Sequence, residues 1–256
     1  MGKLVTLIVL PALAVAVFAA AASGRSAATF KYCTDPTFPP MEYATTSGKI
    51  VGFDVDMAAA LAKTWGDTAS ASKTLFPGLI PALNGKKCDA VISGIFVTPD
   101  RRKQAGVVPY MKTHRVLIVR AGNPRKIHSP NQLKGRVVAV QAGTKYEEYL
   151  KALQKKLGFT LQSYPGDTDA VAQVMLGRAD AVLTQDTSFA YQSKQHPGKI
   201  AIGFTFAASD KFGIYYRKGD ADGVGAQIKD GVATLRSNGR LKKLATKYKI
   251  PVSTVK

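Results

Sequence analysis

The chain has 256 residues, 46% of them hydrophobic and 21% charged, which excludes a disordered or low-complexity protein and suits one large domain or two small ones. Its 36 basic residues against 17 acids give a net charge of +19, a field that attracts anionic molecules. The basic residues are scattered, with no arginine-rich arm and no aromatic RNA-binding signature, so most of the charge reads as solvated surface and nucleic acid is not the expected partner.

Met1-Gly2-Lys3 followed by the apolar run Leu4 to Ala22 reads as a cleavable secretory signal peptide over residues 1–28, cut within Ala19 to Ala22 or after Ala28. An uncleaved anchor is the alternative, because the run is long enough to span a bilayer. Loss of residues 1–28 removes Lys3 and Arg25 and no acid, leaving 34 basic residues against 17 acidic ones. Export raises the question of a disulfide between Cys33 and Cys88. If both lie on neighbouring parallel strands they are displaced by about 10 Å along the strand, so two free, buried thiols are expected.

After the leader, Phe30 to Cys33 predicts a strand. The loop from Thr34 to Tyr43 contains Pro36, Pro39 and Pro40, which hold it extended and present Asp35 and Phe38 at fixed positions. Asp54 is placed to cap a helix over residues 55–65, with Val55, Ala58, Ala59, Leu61 and Ala62 on its apolar face. A strand near residues 69–75, then Phe76-Pro77-Gly78 and a short helix over 79–84, lead to the stretch Cys88 to Arg102. There Ala90-Val91-Ile92 reads as a strand buried on both faces, ended by Ser93-Gly94. Thr98-Pro99-Asp100 reads as a helix start, which places Arg101 in the first turn just beyond a strand's carboxyl end. In open α/β sheets ligands bind at that end, and a guanidinium there can grip a carboxylate with two parallel hydrogen bonds.

A second unit of the same alternating kind follows. An apolar strand at residues 116–119 leaves the first lobe, and Ser129-Pro130 starts a short helix. Val137 to Val140 predicts a strand ending at Gln141, and Gly143-Thr144 opens a helix over 145–157, a turn whose backbone N–H groups suit an anion. Further elements are a strand at 161–164, a helix at 167–176, a strand at 179–183 that delivers Thr184-Gln185-Asp186, a helix to about Gln195 and a strand at 200–204. Phe212 to Arg217 returns the chain, and helices at 223–237 and 241–248 close it. One unit inserted in another implies two strands crossing between lobes, a hinge.

The pieces TDPTFPPMEY, VGFDVDMAAALAK, FPGLIPALNGKKCDAVISG, VTPDRRKQ, VAVQAGT, GRADAVLT and SNGRLKKLATKY, in this order over residues 30–250, resemble the amino-acid-binding family of periplasmic solute-binding proteins serving ABC importers, family 3. The resemblance implies an α/β protein of the type II binding-protein fold: two lobes, each a mixed sheet flanked by helices, joined by a two-strand hinge. Lobe one would comprise residues 29–114 with 216–256, and lobe two residues 115–215. It implies a monomer in the periplasm, an inner-membrane ABC permease as partner, and no cofactor, metal or enzymatic activity. Phe38 and Phe76 would sandwich the ligand's side chain, with Asp35 at its distal end. Arg101, backbone groups of Ser93 and Gly94, and N–H groups at Thr144 and Lys145 would clamp its carboxylate. Phe96, Gln141, Gly143, Gln185 and Asp186 complete the expected site.

Three positions depart from the family pattern. Phe96 stands where a serine or threonine is usual, Gln185 where an aspartate usually meets the ligand's α-ammonium, and Lys145 where a threonine is usual. An uncompensated ammonium in a closed cleft is costly. The expected ligand is therefore a carboxylate that lacks a free primary α-ammonium, such as an opine-like secondary amine or an organic acid. Alternatively it is an ordinary amino acid accepted by Gln185 and backbone carbonyls, or by a shifted Asp186. Two further readings share the fold: a cyclohexadienyl-dehydratase-like enzyme, whose general acid would come from Asp35, Glu42, Asp186 or Lys145, and a ligand-sensing adaptor. His114, His128 and His196 are isolated and show no metal-ligand spacing.

Overall fold

The computed structural model describes Gly2, residues 26–219 and residues 223–256; the expected leader, apart from Gly2 and residues 26–28, lies outside the described residues. None of the described helices is long and apolar enough to cross a membrane.

The chain opens with β1 (Thr29–Thr34), followed by a small sheet of β2 (Thr37–Phe38), β3 (Glu42–Ala44) and β4 (Ile50–Val51). Next come α1 (Phe53–Thr64), β5 (Thr68–Lys73), a 3₁₀ turn at Phe76–Gly78, α2 (Leu79–Asn84), β6 (Ala90–Val91) and α3 (Pro99–Gln104). The long strand β7 (Ala105–Arg120) leads to β8 (Val137–Gln141), α4 (Lys145–Leu157), β9 (Thr160–Tyr164), α5 (Asp167–Met175), β10 (Ala181–Gln185) and α6 (Asp186–Gln195). A second long strand, β11 (Ile200–Arg217), returns to α7 (Val224–Ser237) and α8 (Arg240–Lys247).

Eight strands form one mixed sheet in the order β5-β1-β6-β11-β7-β10-β8-β9. Within it β5, β1 and β6 run parallel, as do β10, β8 and β9. The antiparallel pair β7 and β11 joins the two triplets, and each of the pair contacts one triplet: β11 through Tyr215 and Tyr216, β7 through Arg115 to Val119. The inner strands β6, β8 and β10 are buried on both sides because helices cover both faces. In the first half Cys33, Val91 and Tyr215 pack toward α2, whereas Tyr32, Ala90 and Ile214 belong to the core under α1 and α7. In the second half Val116, Ile118, Ala139 and Val182 pack toward α5, while Val138, Val140 and Leu183 belong with Tyr146 and Leu150 of α4.

Four expectations are corrected. Cys33 and Cys88 form a disulfide, with Cα atoms 5.7 Å apart. The register places Cys33 beside Val91, but Cys88 precedes β6 and lies in the connection from α2, so strand rise does not separate it from Cys33. Asp54 does not cap α1: Gly52 is the N-cap, and Asp54 is buried within the first turn. Ala59 is exposed, and Phe53 and Met57 take the apolar face instead. Finally, β7 runs far beyond residues 116–119, and the two strands expected at 200–204 and 212–217 are one. Pro109, which can donate no ladder hydrogen bond, is accommodated opposite Gly213, where the register shifts.

Candidate functional site

Parallel strands on each side deliver their carboxyl ends to one place, where ligands enter sheets of this kind. A cavity of about 370 Å³, its mouth included, is lined by Asp35 after β1, Phe38 of β2, Ser93, Gly94 and Phe96 after β6, Gln141 of β8, and Gln185 of β10. Phe76, Arg101, Thr144 and Lys145 also line it. Of the thirteen residues expected from the sequence, eleven meet here. Gly143 and Asp186 do not.

Arg101 sits as expected in the first turn of α3, where Thr98 caps the helix by accepting the Arg101 N–H at 3.2 Å. Its guanidinium donates to the Phe96 carbonyl at 3.2 Å and lies 5.5 Å from the Phe76 ring centroid. Among the described residues no carboxylate lies within ion-pair distance of it. Burial lowers its pKa from the usual guanidinium value, since the charge is held away from water. Across the cavity, Thr144 caps α4 by accepting the Glu147 N–H at 3.2 Å, and the N–H groups of Thr144 and Lys145 have no protein acceptor among the described residues. Positive charge and open N–H donors thus face one cavity from both halves of the molecule, an arrangement suited to a carboxylate.

Several groups of the expected site, the Gly94 N–H of the clamp among them, bond within the protein. The Gly94 N–H donates to Asp54 at 2.8 Å, and Ser93 Oγ accepts the Asp35 N–H and donates to Glu42. Gly143 donates to Glu147 and is pressed against Pro77; a Cβ there would fall 2.7 Å from the Pro77 ring, so its glycine serves the approach of the two halves. The Lys145 ammonium binds Asp100 at 3.0 Å and Glu148 at 2.5 Å, and Glu148 chiefly raises its pKa. Asp186 accepts from Thr113 Oγ1 and the His114 N–H and pairs with the His114 ring at 3.4 Å, which turns it toward β7.

The walls are aromatic. Phe96 stacks on Phe212 and meets Tyr146 edge-on, and Phe38 meets Phe212 edge-on. Gly94, at φ +47°, lets Phe38 lie against the backbone, where a Cβ would come within 2.6 Å of the ring. Acidic groups make up the rest. Asp35 is 1% exposed; one of its oxygens accepts from the Phe76 N–H and Gln141 Nε2, and the other has no partner among the described residues. Three lining residues were not expected in the binding site: Tyr146 and Asp167, and Glu42, which the sequence offered only as a general acid for the enzymatic alternative. Asp167 was read only as a helix start; the missed signal is that three acids or amides, Asp35, Asp167 and Gln185, stand at or within three residues after a strand's carboxyl end. Burial pushes Asp35 and Asp167 up to about 6, and burial together with the Asp54 charge holds Glu42 well above the usual carboxylate range.

An α/β molecule with two parallel triplets, a crossing strand pair and a charged, aromatic cavity between them is a two-lobed ligand-binding protein. Residues 30–250 match the bacterial extracellular solute-binding proteins, family 3, and the chain belongs to that family. The L-cystine-binding protein TcyJ of Escherichia coli strain K12 is 30% identical over 83% of this chain and 79% of its own. Among solved structures, an ancestral arginine-binding protein bound to arginine has a TM-score of 0.81 at 32% identity, covering 86% of this chain and 97% of that one. An ancestral amino acid-binding protein, a precursor of cyclohexadienyl dehydratase, has a TM-score of 0.79 at 31% identity, covering 86% and 95%. The fold and the solute-binding function expected from the sequence hold.

Proposed function

We propose that this protein captures a free amino acid in the bacterial envelope and hands it to an ABC importer. The observation that carries the reading is Arg101: a partly buried guanidinium on the cavity wall, without a carboxylate partner among the described residues, opposite the open N–H groups that start α4. The ligand's carboxylate bridges the two. Its side chain lies between Phe38 and Phe76, with Asp35 at the far end. Lobe one, expected as residues 29–114 with 216–256 but also holding Ile214 and Tyr215 in its core, and lobe two, from residue 115 to the middle of β11, turn about β7 and β11, the two strands that cross between them. The export signal, the periplasmic location and the monomeric state belong to the same reading.

The test is a thermal-shift screen of the proteinogenic amino acids and cystine, followed by calorimetry on the hit. Arg101→Ala is expected to weaken binding by about a hundredfold or more, because a buried charge pair loses one member. Unchanged affinity would sink the clamp. The dehydratase alternative draws on the two cavity carboxyls raised to about 6, a range useful to a general acid. Binding is preferred because the relatives named above are described as binders. Turnover of prephenate by the purified protein would reverse that choice.

A further inference from the structure

Resting on the amino-acid reading, this inference specifies where the ligand's α-ammonium goes. Gln185 ends β10 where the family resemblance leads one to expect an aspartate, and a neutral amide cannot balance an ammonium. Asp167 can. It is the first residue of α5, 3% exposed, and lines the same cavity. Each of its oxygens accepts one hydroxyl: Thr184 donates to Oδ1, and Ser188 donates to Oδ2 at 2.6 Å. Both donors are neutral, and among the described residues no Lys, Arg or His lies within ion-pair distance. A carboxylate held out of water by hydroxyls alone is costly to keep ionised, and each oxygen retains acceptor capacity. Thr184 also precedes Gln185, whose buried Oε1 has no donor among the described residues. We propose that Asp167 is the countercharge for the ligand's α-ammonium, with Gln185 Oε1 as a second acceptor. The acid expected at the end of β10 has in effect moved to the start of α5, and the ligand keeps its free amine.

The charge balance also narrows the ligand. Lys145 is already paired, and burial with the Asp54 charge holds the Glu42 carboxyl well above the usual carboxylate range and so neutral, which leaves the cavity with Arg101 against Asp35 and Asp167. One carboxylate and two cations match that set, which makes L-arginine the first probe.

Calorimetry compares L-arginine with 5-guanidinopentanoate, the same skeleton without the α-ammonium. If the screen selects another amino acid, that compound and its α-deamino counterpart replace the pair. Asp167→Asn is expected to weaken the amino acid by about a hundredfold while moving the deamino acid by about twofold or less. Adding Gln185→Asp to that variant is expected to restore at least about tenfold, which a purely structural role for Asp167 would not allow. Equal losses for both ligands, or no loss for either, overturn the proposal. A wild-type protein that binds no amino acid overturns the underlying reading instead. If Asp167→Asn does not fold, Ser188→Ala removes one donor and keeps the charge. The pH midpoint below which amino-acid affinity falls is then expected to rise, with Asp35, Glu42, Arg101, Lys145 and the Tyr146 phenol the other titratable or charged groups lining the cavity. An unmoved midpoint counts against the assignment.

Discussion

Burial raises Asp35, Asp54 and Asp167 to about 6, and this acts in opposite directions on the free and the loaded protein. A carboxyl whose folded value lies above its unfolded value contributes stability that is fully present below the unfolded value and is lost as pH rises through the folded one. Free protein is therefore expected to melt at a higher temperature at pH 5 than at pH 7. Ligand affinity runs the other way. Protonating Asp35 or Asp167 removes the charge that a cationic group meets, so affinity is expected to be flat above about pH 7 and to fall by up to about tenfold per pH unit below 6. Melting curves from pH 7.5 to 5, with and without L-arginine, read both trends; parallel curves would show that these carboxyls do not face the ligand. At this scale the sequence was informative for Arg101, whose place follows from Thr98, Pro99 and the end of β6. It was silent on Asp167, because an acid at a helix start has an ordinary explanation in the helix dipole. Lys145 stands where a threonine is usual, and only the fold brings Asp100 and Glu148 to neutralise the charge it adds.

Elements were legible wherever capping chemistry marked them. Thr98-Pro99 at α3, Gly85 after α2, and Thr144 with Gly158 around α4 set boundaries that local sequence alone decides. The strands β7 and β11 were misjudged because their length comes from pairing with each other, a contact distant in sequence. Pro109 signals an end unless its opposite residue, Gly213, is known. The disulfide escaped for a related reason: strand register was applied to Cys88, which stands outside the strand. It ties β1 to the connection between α2 and β6 across 55 residues of chain, and both sulfurs are buried. Cys33→Ser with Cys88→Ser is expected to lower stability by about 2–4 kcal/mol. Urea denaturation of the double variant and of reduced wild-type protein checks this. An equal loss in both assigns the effect to the covalent link, and no loss in either removes it. At α4, Thr144→Ala deletes the cap at a cost of about 1 kcal/mol. It is also expected to weaken ligand binding, since the same turn aims the N–H groups at the cavity.

At the scale of the whole molecule the two halves are held together by a short set of contacts across the cleft. Gln141 donates to Asp35 at 2.9 Å, the Asp167 N–H donates to Thr37 Oγ1 at 3.3 Å, Lys145 reaches Asp100 at 3.0 Å, and Tyr43 meets Tyr191 with ring centroids 5.4 Å apart. The first two lie among ligand-facing groups, so breaking them would confuse closure with binding. The Lys145–Asp100 pair is different. Its carboxylate is largely exposed, so the interaction is weak, salt-screened and separable from the clamp's charge. Hinge closure is an equilibrium to which each crossing contact adds a small bias, and affinity is reduced by the fraction of molecules not yet closed. Asp100→Ala is accordingly expected to enlarge the ligand-free radius of gyration in small-angle scattering. It should weaken ligand binding only about two- to fivefold, with 0.5 M salt reproducing the effect in wild type and adding little in the variant. Scattering that is unchanged in the variant and insensitive to salt would mean that the pair does not bias closure, leaving the other three contacts, Gln141 with Asp35, Asp167 with Thr37 and Tyr43 with Tyr191, to set the resting angle between the lobes.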